Sequence, residues 1–384
     1  MHERFRLKPE SEAMLTLDFL RFLAAVGVVV EHYWQALRGH EGLPGGAHLD
    51  FLSLCVDVFF IISGFVIGSI YDGRVDTRRG YFGFIRKRLA RLAPLHWATL
   101  AFFAAIGAAL LLFGRTSNFP DIYDWHCFMP EALFAHAFNV CTNSSFNAPS
   151  WSISAEMALY LIFPALLLLA RRQPSLLIAI SFVTLAIMYR GAGGLYGDEH
   201  DGWTNWTVDF GAVRGLAGFA FGLALYAYRD RLCRFRGALP LLVLAVSGFI
   251  AMGLAQIPPM ALAPLAYAIA FFAIVTDLSG ASAPFRRLAP LGQLTYSIYM
   301  LHVPLRFLLV VLVGERLLNL HGATYAWWSV FTALAVIPAS WVSLIVFERP
   351  SRRWMSGAQP KTLSAESSPV EALPQLSVGE QRTA

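Results

Sequence analysis

Ionisable side chains interrupt otherwise apolar stretches of the chain, among them Asp18, Arg21, His32, Asp57, His96, Glu156, Arg214, Asp277, His302 and Arg306. A charge in hydrocarbon costs several kcal/mol, so such residues are functional candidates by default. The types point to a specific chemistry. A histidine beside a carboxylate in a partly dry site can act as a general acid or base, with the carboxylate fixing the imidazole tautomer. Arg21 and His32 are eleven residues apart. In a helix that is about 16 Å of rise with only about 20° of residual rotation, so both face one side. Asp18 precedes Arg21 by three and can pair with it on that face. A second group is cationic, Arg86-Lys87-Arg88-Leu89-Ala90-Arg91, in which Arg88 and Arg91 share a helix face. Such a pair can grip phosphates, and it can equally be an ordinary basic anchor at a membrane surface.

The elements that must position these groups follow from composition. The 384 residues are 57% hydrophobic and 14% charged, with a mean hydropathy of +0.54. Soluble domains carry about a quarter charged residues, which places this chain in lipid. Apolar segments of about the length needed to span run over 14–36, 49–71, 92–114, 151–170, 175–190, 208–227, 239–256, 260–279, 290–313 and 325–347. Open sheets cannot satisfy their edges in lipid, and the period-2 alternation of a barrel is absent. The expected fold is therefore an all-α polytopic bundle of about ten spans. The first segment is too long and too charged for a cleaved signal peptide and reads as the first span. One membrane domain is expected over 14–355, between an N-terminal arm (1–13) and a disordered tail (356–384) rich in Ser, Glu, Pro and Gln.

The net charge of +5 is explained by topology, without nucleic acid. Starting with the N-terminus inside, 23 of the thirty lysines and arginines fall on the inner side and four in outer loops. This asymmetry predicts both termini in the cytoplasm. The second and fourth spans then run inward, placing Asp57 and Glu156 near the outer surface with His32, Arg214 and His302. Cys127 and Cys141 share the longest outer loop, about 115–150, where an oxidising compartment favours a disulfide. Cys233 lies among arginines on the reducing side. No metal-ligand spacing is present.

Several of these residues stand in motifs. Leu17-Asp18-Phe19-Leu20-Arg21 followed by His32 resembles the first-span motif of the membrane-bound acyltransferase-3 family, the O-antigen and exopolysaccharide O-acyltransferases. Asp57-Val58-Phe59-Phe60-Ile61-Ile62-Ser63-Gly64-Phe65 resembles its second-span signature, and Arg88-Leu89-Ala90-Arg91-Leu92 with Pro94 its third. Pro149-Ser150-Trp151-Ser152-Ile153-Ser154-Ala155-Glu156 and Tyr160 resemble its fourth, and Arg214 with Phe219 and Gly222 its sixth. Ser297-Ile298-Tyr299-Met300-Leu301-His302-Val303-Pro304 and Glu348-Arg349-Pro350 are similar to its closing motifs. The resemblance covers about 14–355. Phe19 and Phe22 stand where the family commonly has glycine, and no fused hydrolase-like domain is legible, so acceptor handling is expected to rest with the membrane domain or partners.

The resemblance implies acyl-coenzyme A, acetyl-CoA first of all, as a cytoplasmic donor substrate, with no bound cofactor. It implies a carbohydrate hydroxyl as acceptor, on O-antigen, exopolysaccharide or another lipid-linked envelope glycan of a bacterial inner membrane. Arg88 and Arg91, with Arg86, would hold the nucleotide phosphates, and the pantetheine arm would extend outward past Arg21. His32 would be the base or a transient acyl carrier, oriented by Asp57 or Glu156, with Arg214 or His302 stabilising the oxyanion. Ser152 and Ser154 are possible nucleophiles, although serine in spans more often bonds a neighbouring helix. Two other classes compete. A proton-coupled sugar exporter would use His32, Asp57 and Glu156 as a relay, although the paired halves common in transporters are not visible. A non-catalytic scaffold would have no need of buried charges at matching depth.

Overall fold

Every one of the ten apolar segments is helical. The computed structural model describes residues 7, 9, 13–38, 48–114, 120–191 and 202–356, and among these none lies in a strand. Most of the N-terminal arm, residues 192–201 of the second outer loop and the tail from 357 onward lie outside the described residues. The long helices are α1 (Leu15–Arg38), α2 (Cys55–Tyr71), α3 (Arg78–Leu112), α4 (Trp151–Arg172) and α5 (Pro174–Gly191), followed by α6 (Gly211–Ala227), α7 (Ala238–Leu254), α8 (Pro259–Leu278), α9 (Thr295–Leu305) and α10 (Gly322–Ser343). With their helical extensions, α2, α3, α4, α5, α8, α9 and α10 are long and apolar enough to cross a membrane. Helices α6 and α7 are apolar but only 17 residues long. Helix α1 has 24 residues and carries Asp18, Arg21 and Glu31.

Two features of α3 differ from the expectation that its basic cluster opens a span at 92. The helix begins at Arg78, because the Thr77 side chain accepts from the Gly80 amide at 3.1 Å and caps the first turn. Its 35 residues extend about 52 Å, well beyond a hydrocarbon core of roughly 30 Å. Arg88 and Arg91 are thus already inside a formed helix, aimed by its pitch rather than by a loop.

Close approach between α2 and α6 is built on glycine. A Cβ on Gly64 would overlap the Phe219 carbonyl, and one on Gly222 would overlap the Ile61 carbonyl. Small residues let helix backbones come together where lipid supplies no hydrophobic drive. One turn from this contact, the same pairing brings Asp57 of α2 to Arg214 of α6.

The ends of α1 and α9 are also set by identifiable groups. Asp277 of α8 accepts from the amides of Thr16 and Leu17 at 2.9 and 3.0 Å, satisfying donors that a first helical turn leaves open. One of the ionisable residues in the apolar segments is therefore a cap. Helix α9 contains Pro304, which lacks an amide, and the chain continues from Arg306 to Leu317 with π-helical winding. In the loop between α3 and α4, Cys127 and Cys141 are joined with Cα atoms 5.5 Å apart. Glu131 and His136 are buried beside them. Burial pushes the Glu131 carboxyl up to about 9 and the His136 imidazole down to about 3, so both are neutral at pH 7. Thiol labelling of denatured protein taken from intact cells is expected to modify Cys127 and Cys141 only after reduction. Full labelling without reductant would show that the loop is held without the bridge.

Candidate active site

Arg21, Arg88 and Arg91 face a common cavity of about 100 Å³, together with Ser63, Ser152, Glu156, Tyr160, Thr295, Tyr296 and Tyr299. Helices α1 to α4 and α9 supply these residues, and Phe59, Phe60, Val66 and Leu92 form apolar wall. One carboxylate oxygen of Glu156 accepts from Ser63 Oγ at 2.9 Å and from the Tyr160 hydroxyl one turn along its own helix. Beside it, Arg88 donates to the Tyr71 hydroxyl at 3.0 Å, with its guanidinium 5.2 Å from the Tyr71 ring and 5.8 Å from the Tyr160 ring. Arg21 keeps the expected contact with Asp18, at 3.9 Å. Arg86 differs from the other two arginines of its cluster. It is exposed and does not line the cavity, because it lies round the helix from the face that Arg88 and Arg91 share.

Tyr299 closes the far side. Its hydroxyl accepts from Ser152 Oγ at 2.8 Å and donates to the Pro149 carbonyl at 2.9 Å, while its ring packs 6.0 Å from both Phe59 and His302. Ser152 is thus tied to another helix and not set up as a nucleophile. Beyond Tyr299 lie His302 and His32, with ring centroids 5.0 Å apart. Neither histidine lines the cavity.

The two imidazoles are held alike. Nδ1 of His32 lies 2.9 Å from the Val28 carbonyl and Nδ1 of His302 3.3 Å from the Ile298 carbonyl. A carbonyl only accepts, so each Nδ1 bears the proton and each Nε2 carries the lone pair. The buried Nε2 of His302 has no partner among the described residues. The backbone therefore sets His32's tautomer, in place of Asp57 or Glu156. Glu156 is occupied by Ser63 and Tyr160. Asp57 is bound to Arg214 through Nη2 at 2.6 Å and Nε at 3.1 Å, both residues being 1% exposed. Arg214 spends further donors on the carbonyls of Thr204, at 2.5 Å, and Ser53, at 3.0 Å, and lies over Trp151 and Trp203. Four of its five N–H groups are thus engaged and its charge is matched by Asp57, which leaves it a structural cation more than an oxyanion donor. Likewise His302, with its one proton committed to Ile298, cannot donate to an oxyanion in this tautomer.

Three residues near the site were not singled out from sequence. Tyr296 and Thr295 line the cavity just before the Ser297–Pro304 motif, and an aromatic in an apolar run gives no separate signal. Glu31, next to His32, is 6% exposed and accepts from Gln35 at 3.4 Å. Its charge is visible in the first apolar segment, one residue before His32, and the sequence reading passed over it.

Residues 14–345 match the acyltransferase-3 family model, described as an acyltransferase domain. The chain belongs to the acyltransferase-3 family. Among its relatives is the acyltransferase MdmB of Streptomyces mycarofaciens, 25% identical and covering 95% of this chain and 98% of that one. The exopolysaccharide production protein ExoZ of Rhizobium meliloti (strain 1021) is 24% identical, over 68% of this chain and 79% of its own. Protein 2 in the picA locus of Rhizobium radiobacter is 30% identical over 40% of this chain and 74% of its own. No solved structure matches. Membership identifies the protein as a multi-pass membrane acyltransferase, and it favours acyl transfer over solute export for the buried histidines.

Proposed function

We propose that this acyltransferase moves an acyl group, acetyl in the simplest case, from acyl-coenzyme A to a hydroxyl of an envelope carbohydrate across a bacterial inner membrane. The observation that carries the reading is one cavity with three arginines on its wall, closed by Tyr299 against the His32–His302 pair. Coenzyme A is a polyphosphate on a long flexible arm, and its head suits guanidinium groups. The arm would pass Glu156 and Tyr160 toward Tyr299. The basic asymmetry of the loops supports a cytoplasmic position for the arginine end, on the side where acyl-CoA is made. A carbohydrate acceptor is supported by the similarity to ExoZ, an exopolysaccharide production protein.

In the reaction, Nε2 of His32 takes the proton of the acceptor hydroxyl as its oxygen attacks the thioester carbonyl. The carbon–sulfur bond then breaks, and the coenzyme A thiolate leaves and recovers the proton from His32. Tyr299 must swing aside for the thioester to reach the histidines. Its two hydroxyl hydrogen bonds would hold it closed until the donor arrives. Incubating the purified protein with labelled acetyl-CoA and envelope extract is expected to give ester-linked label on glycan. Label retained only as acetyl-CoA would overturn the reading.

Donor binding has its own test. Arg88→Ala is expected to raise the KM for acyl-CoA roughly tenfold to a hundredfold, because a charge-assisted hydrogen bond contributes about 1.5–3 kcal/mol. The kcat should change little. An unchanged coenzyme A affinity in a binding titration would leave Arg88 as a topological anchor only.

A further inference from the structure

Three arginines lie within the apolar segments, and their surroundings differ. Arg214 is neutralised by Asp57, and Arg21 lies 3.9 Å from Asp18. Arg306 makes one hydrogen bond, from Nη1 to the backbone carbonyl of His32 at 3.0 Å, and no ion pair among the described residues. Glu315 is within electrostatic range, but its Oε1 accepts from the Tyr325 hydroxyl at 2.8 Å instead. A cation held in a span without a carboxylate in contact is costly unless something compensates it.

We propose that Arg306 is a catalytic residue, the cationic half of the oxyanion site in which the acyl-transfer transition state forms. The inference rests on the acyltransferase reading above. Its position is produced by the chain itself. After Pro304 the winding widens to π-helical at Arg306, which turns the side chain toward α1. Irregular turns of this kind recur at functional sites. Because the bond runs to His32's own carbonyl, the cation is tethered to the residue that serves as base. Nε and Nη2 remain as donors.

When the acceptor oxygen bonds to the thioester carbon, the carbonyl π pair moves onto its oxygen. That charge appears beside His32, where Arg306 compensates it. The pair returns as the carbon–sulfur bond breaks, and Arg306 keeps its protons throughout. Groups arranged in advance of such charge are worth more in a dry site than in water.

The test compares Arg306→Gln and Arg306→Lys in the full-length protein, using labelled acetyl-CoA and glycan acceptor. For the glutamine variant, kcat should fall about 10²–10³-fold, the range found on removing one oxyanion donor. Donor KM should stay within about twofold, and the lysine variant should recover at least about tenfold of the lost rate. Wild-type kcat in Arg306→Gln would overturn the proposal. So would lysine and glutamine variants that are equally inactive and both thermally destabilised, since that is a packing role. A wild-type protein that transfers nothing from acetyl-CoA would fail at the earlier step and remove both readings.

Discussion

His32→Ala is expected to stop acyl transfer while leaving the protein in the membrane at normal level. The loss should be at least about 10²–10⁴-fold, the usual contribution of a positioned general base. The fold should tolerate the change for a specific reason. The His32 ring makes its one hydrogen bond within its own helix, to Val28, and the contact from Arg306 is to the backbone carbonyl, which alanine retains. His302 cannot substitute, because it lies deeper, with no exposed surface. Immunoblots of membranes together with ester content of the glycan measure both halves. Wild-type ester in a well-expressed variant would remove His32 from the chemistry.

A large effect of the opposite kind is expected at Asp57. Asp57→Ala should destabilise the protein by about 3–5 kcal/mol, because it strands the Arg214 guanidinium in a buried site without its counter-charge. That is a large fraction of a typical folding free energy, so loss from the membrane is the expected phenotype. Replacing both partners, with Asp57→Leu and Arg214→Met, should restore much of the stability, since the unpaired charge disappears with its partner. If Asp57 instead served the histidine, Asp57→Ala would lower the rate and leave thermal stability at the wild-type value. Thermal unfolding of the single and double variants in detergent separates the two outcomes.

Local features of this chain are legible in its sequence, and lateral ones are not. Apolar runs mark the helices because lipid leaves the backbone no other partner. Arg88 with Arg91, and Asp18 with Arg21, follow from helical pitch alone. Depth can also be counted, at 1.5 Å per residue. It groups His32, Asp57, Glu156 and Arg214 into one band, yet it does not say which helices adjoin. The glycine contacts of α2 with α6 turn Asp57 toward Arg214, 157 residues away. Glu156 instead turns to Ser63, 93 residues away. The capping of α1 by Asp277 crosses 260 residues, and an acid in a span gives no hint of the amides it will satisfy. Arg306 shows the same limit. Its charge is visible in the sequence, but its approach to His32 depends on a change of winding that Pro304 alone does not specify.

In the proposed reaction the acyl group crosses from the Arg88–Arg91 end of the cavity to His32. Sealed membrane vesicles of both orientations, given labelled acetyl-CoA on their outside only, test it directly. Inverted vesicles, which expose the loop preceding α3, should accumulate ester-linked label on glycan, and right-side-out vesicles should not. Label in right-side-out vesicles alone, or in neither, would contradict a donor entering past Arg88 and Arg91.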